Sequence, residues 1–177
     1  MEKKLETALS NVEMTYRELV EIANGITGSI FKPINDRVDA ISANVNSMPI
    51  DVIRDSIMDL QIKAFSLAEI KEKSTLKAEL ADALQKEKFA VEFSRADGSA
   101  AVKDKVAQIA TSSEIVAETL YRLIANLMRV KLDQLHRLVD CLKSILMSRM
   151  QETKFMSVGT SAEIPQTADF RNQKGEF

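Results

Sequence analysis

Residues 111–152 read TSSEIVAETLYRLIANLMRVKLDQLHRLVDCLKSILMSRMQE. Val116, Leu120, Leu123, Ile124, Leu127, Val130, Leu135, Leu138, Leu142, Ile145 and Leu146 recur there at spacings of three and four, the signature of one apolar stripe on a helix. The stretch opens with Thr111-Ser112-Ser113-Glu114, which has the form of a capping box, and no Gly or Pro interrupts it before Gly159. At about 1.5 Å per residue the predicted helix is a rod on the order of 60 Å long.

Upstream lies a second arm. Ser47-Met48-Pro49 supplies a capping hydroxyl and a first-turn proline. An apolar stripe follows through Ile53, Ile57, Leu60, Ala64 and Leu67, then Leu76, Leu80, Ala83, Leu84, Ala90 and Val91. Between Ala68 and Thr75 it thins to Ile70 among charged residues, and a bend or solvent-facing turn is expected there. Ser94-Arg95-Ala96-Asp97-Gly98-Ser99 joins the arms, because Asp-Gly tolerates positive φ. Val102, Val106, Ile109 and Ala110 then suit a short helix before the second arm begins.

The N-terminal segment has heptad spacing in Leu5, Leu9, Val12, Tyr16, Leu19, Ala23, Ile26 and Ile30. Gly25, Gly28 and Lys32-Pro33 predict that this first helix stops near Asn24 and that a shorter one, with Ile34, Val38, Ile41, Val45 and Met48, starts at Pro33. After about Thr153 the period is lost. The expected fold is therefore all-α: a long antiparallel, coiled-coil-like helical hairpin over 47–152 with its connector at 94–111. One or two shorter helices in 1–46 precede it, and a flexible tail over 153–177 follows.

Composition agrees with a helical class, since 177 residues include only five Gly and three Pro and the formal net charge is -2. Charges break every apolar run well short of the roughly 20 residues that span a bilayer, and Met1-Glu2-Lys3-Lys4 leads into no signal-peptide core. A cytoplasmic protein without membrane contact is expected, in the bacterial host cytoplasm if phage-encoded. The lone Cys141 reads as a buried thiol. His136, flanked by Asp133 and Asp140, reads as part of a solvated or ion-paired face rather than a metal or acid-base site. Neither a phosphate loop nor a Cys or His pair at ligand spacing is present. No enzyme, metal or cofactor is expected.

Two extended arms leave apolar surface wet unless another chain covers it or the N-terminal helices fold back over them in a compact bundle; of the two, a homo-oligomer is expected. Its interface is placed on the heptad positions Leu5, Leu9, Val12, Tyr16 and Leu19 and on Leu120, Leu127, Leu138 and Leu142. Charge is uneven: residues 1–47 and 48–93 each carry a net -2, whereas 94–111 and 112–152 each come to +1. Around the connector Lys86, Lys88, Arg95, Lys103 and Lys105 gather, preceded by Lys71, Lys73 and Lys77. Repeated around a symmetry axis, they make a candidate phosphate-binding surface.

The order of a lysine-rich helix (Leu76-Lys77-Ala78-Glu79-Leu80 to Lys86-Glu87-Lys88-Phe89), a turn at Asp97-Gly98, a short connector, and a long helix with Leu120-Tyr121 and Leu142-Lys143-Ser144-Ile145-Leu146 resembles the UvsY-type phage recombination mediators over roughly residues 64–152. The resemblance implies a ring-forming accessory protein that binds single-stranded DNA and loads a recombinase onto strands coated by single-strand-binding protein. Lys86, Lys88, Arg95, Lys103 and Lys105 would meet the phosphates, and the Leu120 to Leu146 helix would build the ring. The other reading, supported by the N-terminal heptads and by Asp36-Arg37-Val38-Asp39-Ala40-Ile41, is a structural or scaffold component, or a phage factor that binds a host protein, with no nucleic-acid contact.

Overall fold

The computed structural model describes residues 2–159, with side chains from 15 to 154. Four helices follow in order: α1 (Glu2–Asn44), α2 (Ile50–Arg95), α3 (Ala100–Ala110) and α4 (Ser112–Gly159). Helices α2 and α4 form the expected long antiparallel pair. Their facing residues run in opposite order, from Ala64 beside Val139 through Ala78 beside Ala125 to Lys88 bonded to Glu114. α4 extends to Gly159, about two turns beyond the expected end, so residues 153–159 are helix and not tail; the remainder of the expected tail, 160–177, lies outside the described residues.

Helix α1 corrects the expected break near Asn24, since it runs unbroken for 43 residues with Pro33 inside it. Buried Leu19, Ala23, Thr27, Ile34 and Ile41, joined by Ile30, Val38 and Val45, hold one continuous stripe across the proline. Pro33, Gly25 and Gly28 all lie on the exposed side. Ser29, whose carbonyl loses its helical partner to Pro33, is itself exposed. The cost of an interior proline is therefore partly offset, and tertiary packing overrides local propensity. α1 lies alongside α4 with the same polarity. Lys131 stands 6.0 Å over the Phe31 ring and bonds Asn35.

Helix α2 runs unbroken through 68–75, with no turn there. Ser74 Oγ donates to the Ile70 carbonyl at 2.9 Å and Thr75 Oγ1 to that of Lys71 at 3.0 Å, so both hydroxyls bond within the helix. The core stripe also does not follow the leucines. It continues from Leu67 by steps of seven, four and three to Ser74, Ala78 and Ala81, all buried, whereas Leu76, Leu80, Leu84 and Val91 are exposed. Small side chains thus face α4 in the connector half, and large ones fill the other half: Ile53, Leu60 and Leu67 of α2, Met128, Leu135 and Leu142 of α4, and Ile34 and Ile41 of α1.

At the connector, Gly98 takes φ +112°, as the Asp-Gly signal predicts, and the expected short helix α3 follows and packs back on α2. The capping box does not form. Thr111 is buried, and its hydroxyl donates to the Ala107 carbonyl at 2.9 Å, while the Glu114 carboxylate accepts from Lys88 and from Ser113. With α3 ending one residue before α4 begins, Thr111 is committed to the helix behind it.

Candidate interaction surface

The outer face of α2 carries a long row of exposed apolar side chains; others, such as Ile109 of α3 and Met147 of α4, lie elsewhere on the described surface. Met58, Ile62, Phe65, Leu76, Leu80, Leu84 and Val91 are 39–79% exposed. At 100° of turn per residue they fall within an arc of about 100°, centred opposite the face that meets α4. A helix apolar on both sides arises because one sequence carries two stripes, with Ile53, Ile57, Leu60, Ala64 and Leu67 on the inner face. Reading a single stripe through all of these residues runs the inner set into the outer one at Leu76.

Two charges interrupt the outer stripe midway. Lys73 Nζ and Glu69 Oε1 stand 2.5 Å apart, both side chains about two-thirds exposed, and the ammonium's hydrogen bond holds the Glu69 carboxyl below its usual pKa. Towards the connector, Leu80 and Leu84 also wall a shallow groove between α2 and α4 with Ala117 and Tyr121.

The leucines expected between copies are otherwise employed. Leu142 is buried in the core of the single chain, and Leu120, Leu127 and Leu138 pack against that core. They follow the 3.6 period that faces α2 and α1, which a sequence cannot assign to a partner in the same chain or another. Of the N-terminal positions, Leu19 is buried and Tyr16 is 60% exposed; Leu5, Leu9 and Val12 lie outside the residues whose side chains are described.

Most of the basic candidates have intramolecular partners. Lys86 pairs with Asp82 at 2.8 Å, Lys88 with Glu114 at 2.9 Å and Arg95 with Glu92 at 3.6 Å. Lys77 lies 5.3 Å over the Tyr121 ring. Lys88 depresses the Glu114 pKa most, with Ser113 adding to it. Lys103, half-buried, and Lys105, exposed, have no ion pair among the described residues. The acidic partners sit one turn away or across the hairpin, so the cluster's field is weaker than its lysine count implies.

A cleft of about 500 Å³ between α2 and α4 is lined by Gln61, Phe65, Leu132, His136 and Asp140, among others. His136 is exposed there, and Asp140 pairs with Lys143 at 3.4 Å. Among the described residues no three His, Cys, Asp or Glu side chains gather closely enough to hold a metal ion, and no helix is long and apolar enough to cross a membrane. Cys141 is exposed, against the expectation of burial: the core positions of α4 fall at Leu135, Val139 and Leu142, which turns the thiol outward. No protein-family model, curated protein or solved structure matches the chain.

Proposed function

We propose that this chain is a non-enzymatic, self-associating helical interaction module that works through protein contacts along its hairpin. The observation that carries the reading is the outward apolar face of α2, seven large residues over roughly 50 Å of helix that the chain's described elements leave 39–79% exposed. Patches of this extent on a stable core mark association surfaces. The interior supports it from the other side. The core is satisfied within the chain, and no buried polar side-chain atom among the described residues lacks a hydrogen-bond partner.

The test is the mass of the full chain by sedimentation equilibrium at neutral pH, over concentrations up to about 100 µM. A mass rising to a multiple of 19.7 kDa is expected. A chain that stays monomeric throughout ends this reading.

A single-stranded nucleic-acid partner has narrower support, in Lys103 and Lys105 of α3, the candidates with neither an ion pair nor a ring contact among the described residues. Phosphate contact by two lysines predicts weak binding of poly-dT that vanishes as salt rises from low to moderate concentration. Binding that persists at moderate salt would argue for a larger site that includes Lys77, Lys86, Lys88 and Arg95.

A further inference from the structure

Between Met58 and Leu84 the outer stripe of α2 is nearly its own mirror image, with Val91 lying beyond the paired stretch, opposite Asp51. Reflecting the sequence about position 71 exchanges Met58 with Leu84, Ile62 with Leu80 and Glu69 with Lys73, and brings Phe65 within one residue of Leu76. All of these residues share the exposed face. A two-fold axis demands this pattern, since an isologous contact needs one patch complementary to itself when turned end to end. We infer that a second copy of this chain covers the face: two α2 helices pack antiparallel about an axis near position 71, Met58 against the partner subunit's Leu84, Ile62 against the partner subunit's Leu80, and Glu69 against the partner subunit's Lys73.

Charge and area both fit this occupant. At the axis the Glu69 and Lys73 pairs of the two copies form an alternating square of charge, replacing one exposed pair with a network. The paired segment from Met58 to Leu84 is about 40 Å long and about 12 Å wide, so two copies cover roughly 1,000 Å², the scale at which specific interfaces begin. The leucines at 80 and 84 then cease to wall an open groove and become the floor for the partner's Ile62 and Met58. A different partner would need no reflection symmetry in the stripe. One feature opposes the contact: Asp55 faces the partner subunit's Glu87 at each end, where both side chains remain at the rim.

This inference rests on the self-association proposed above, and its test separates the two. In a Cys141→Ser chain, Ile62→Cys with Leu80→Cys places two thiols roughly 27 Å apart on one helix, too far for a bond within a chain. Mild oxidation is expected to give a covalent dimer in high yield, as is Met58→Cys with Leu84→Cys. The pair Met58→Cys with Leu80→Cys, one turn out of register, is expected to link at least tenfold more slowly. Glu87→Lys, which turns two rim repulsions into attractions, is expected to tighten the dimer roughly tenfold. If sedimentation shows an oligomer but in-register and out-of-register pairs link alike, or Glu87→Lys loosens it, the antiparallel α2 contact is wrong and self-association stands. If the chain is monomeric, both fall.

Discussion

Arg149 ties α4 to the junction of α1 and α2, opposite the connector. From α4 its guanidinium donates to the carbonyls of Val45 at 2.8 Å and Asn46 at 2.7 Å and also to that of Met48, just past the end of α1 and before α2 begins. Nη2 serves two of the carbonyls and Nη1 the third, a spread that suits a planar fork better than a point charge, and the charge sits where the α1 dipole is negative. Arg149→Ala is expected to cost about 1–2 kcal/mol in urea unfolding, with Arg149→Lys recovering only part; an unchanged midpoint in the alanine variant would show that water substitutes fully. At Asp59 the carboxylate accepts from Lys63 at 2.5 Å and from Arg37 at 3.1 Å, and Arg37 also donates to buried Ser56 at 3.2 Å. The Lys63 hydrogen bond is the largest of the influences that hold the Asp59 pKa below its usual value, with Arg37 adding to it against some desolvation. A carboxyl whose pKa is lower folded than unfolded stabilises the fold above the unfolded value and loses that contribution as pH falls through the folded one. Acidification below about pH 4 is therefore expected to lower the unfolding free energy. Asp59→Asn should flatten part of that decline and cost less than about 1 kcal/mol at pH 7, because the pair is a third exposed and screened.

At the scale of the helix, local propensity and packing disagree in α1, and packing wins. Gly25 and Gly28 each forfeit close to 1 kcal/mol relative to alanine, yet the helix passes through them because Ala23, Thr27, Ile30 and Ile34 are held on the opposite side. A Cβ added at either glycine meets nothing within 4 Å. Gly25→Ala with Gly28→Ala is expected to raise stability by about 1–2 kcal/mol and the thermal midpoint by several degrees. A drop in calorimetry would mean that a break in α1 is used rather than tolerated. The same conflict appears in α2, where serine and alanine are buried while leucines four residues apart stay wet. Those outer leucines are what a stripe read from hydrophobicity alone selects.

For the whole molecule, the division between inner and outer stripes gives a contrast that a single experiment reads. Leu135 is 1% exposed in the core, so Leu135→Ala is expected to cost about 2–4 kcal/mol. Ile62 is 64% exposed, so Ile62→Ala at a concentration below self-association is expected to leave the unfolding free energy within about 0.5 kcal/mol. At high concentration the order changes, because Ile62→Ala then removes stability supplied by a partner. Equal effects at both concentrations would place the association surface elsewhere.

Helix content, the long α2–α4 hairpin, the glycine turn at Gly98 and the short α3 were all legible in the sequence. Period and turn chemistry are local properties, and each is set within a few residues. What the tertiary structure alone decided is which of two apolar stripes on α2 is inside, why Pro33 does not end α1, and that Leu120, Leu127, Leu138 and Leu142 are used within the chain. It also decided that Thr111 bonds backwards and that most of the connector lysines have acidic partners. These outcomes depend on neighbours that residues find across the fold, such as Glu114 for Lys88 and α4 for Ser74 and Ala78. A stripe records only that burial is required; what buries it is settled by the packing of whole helices.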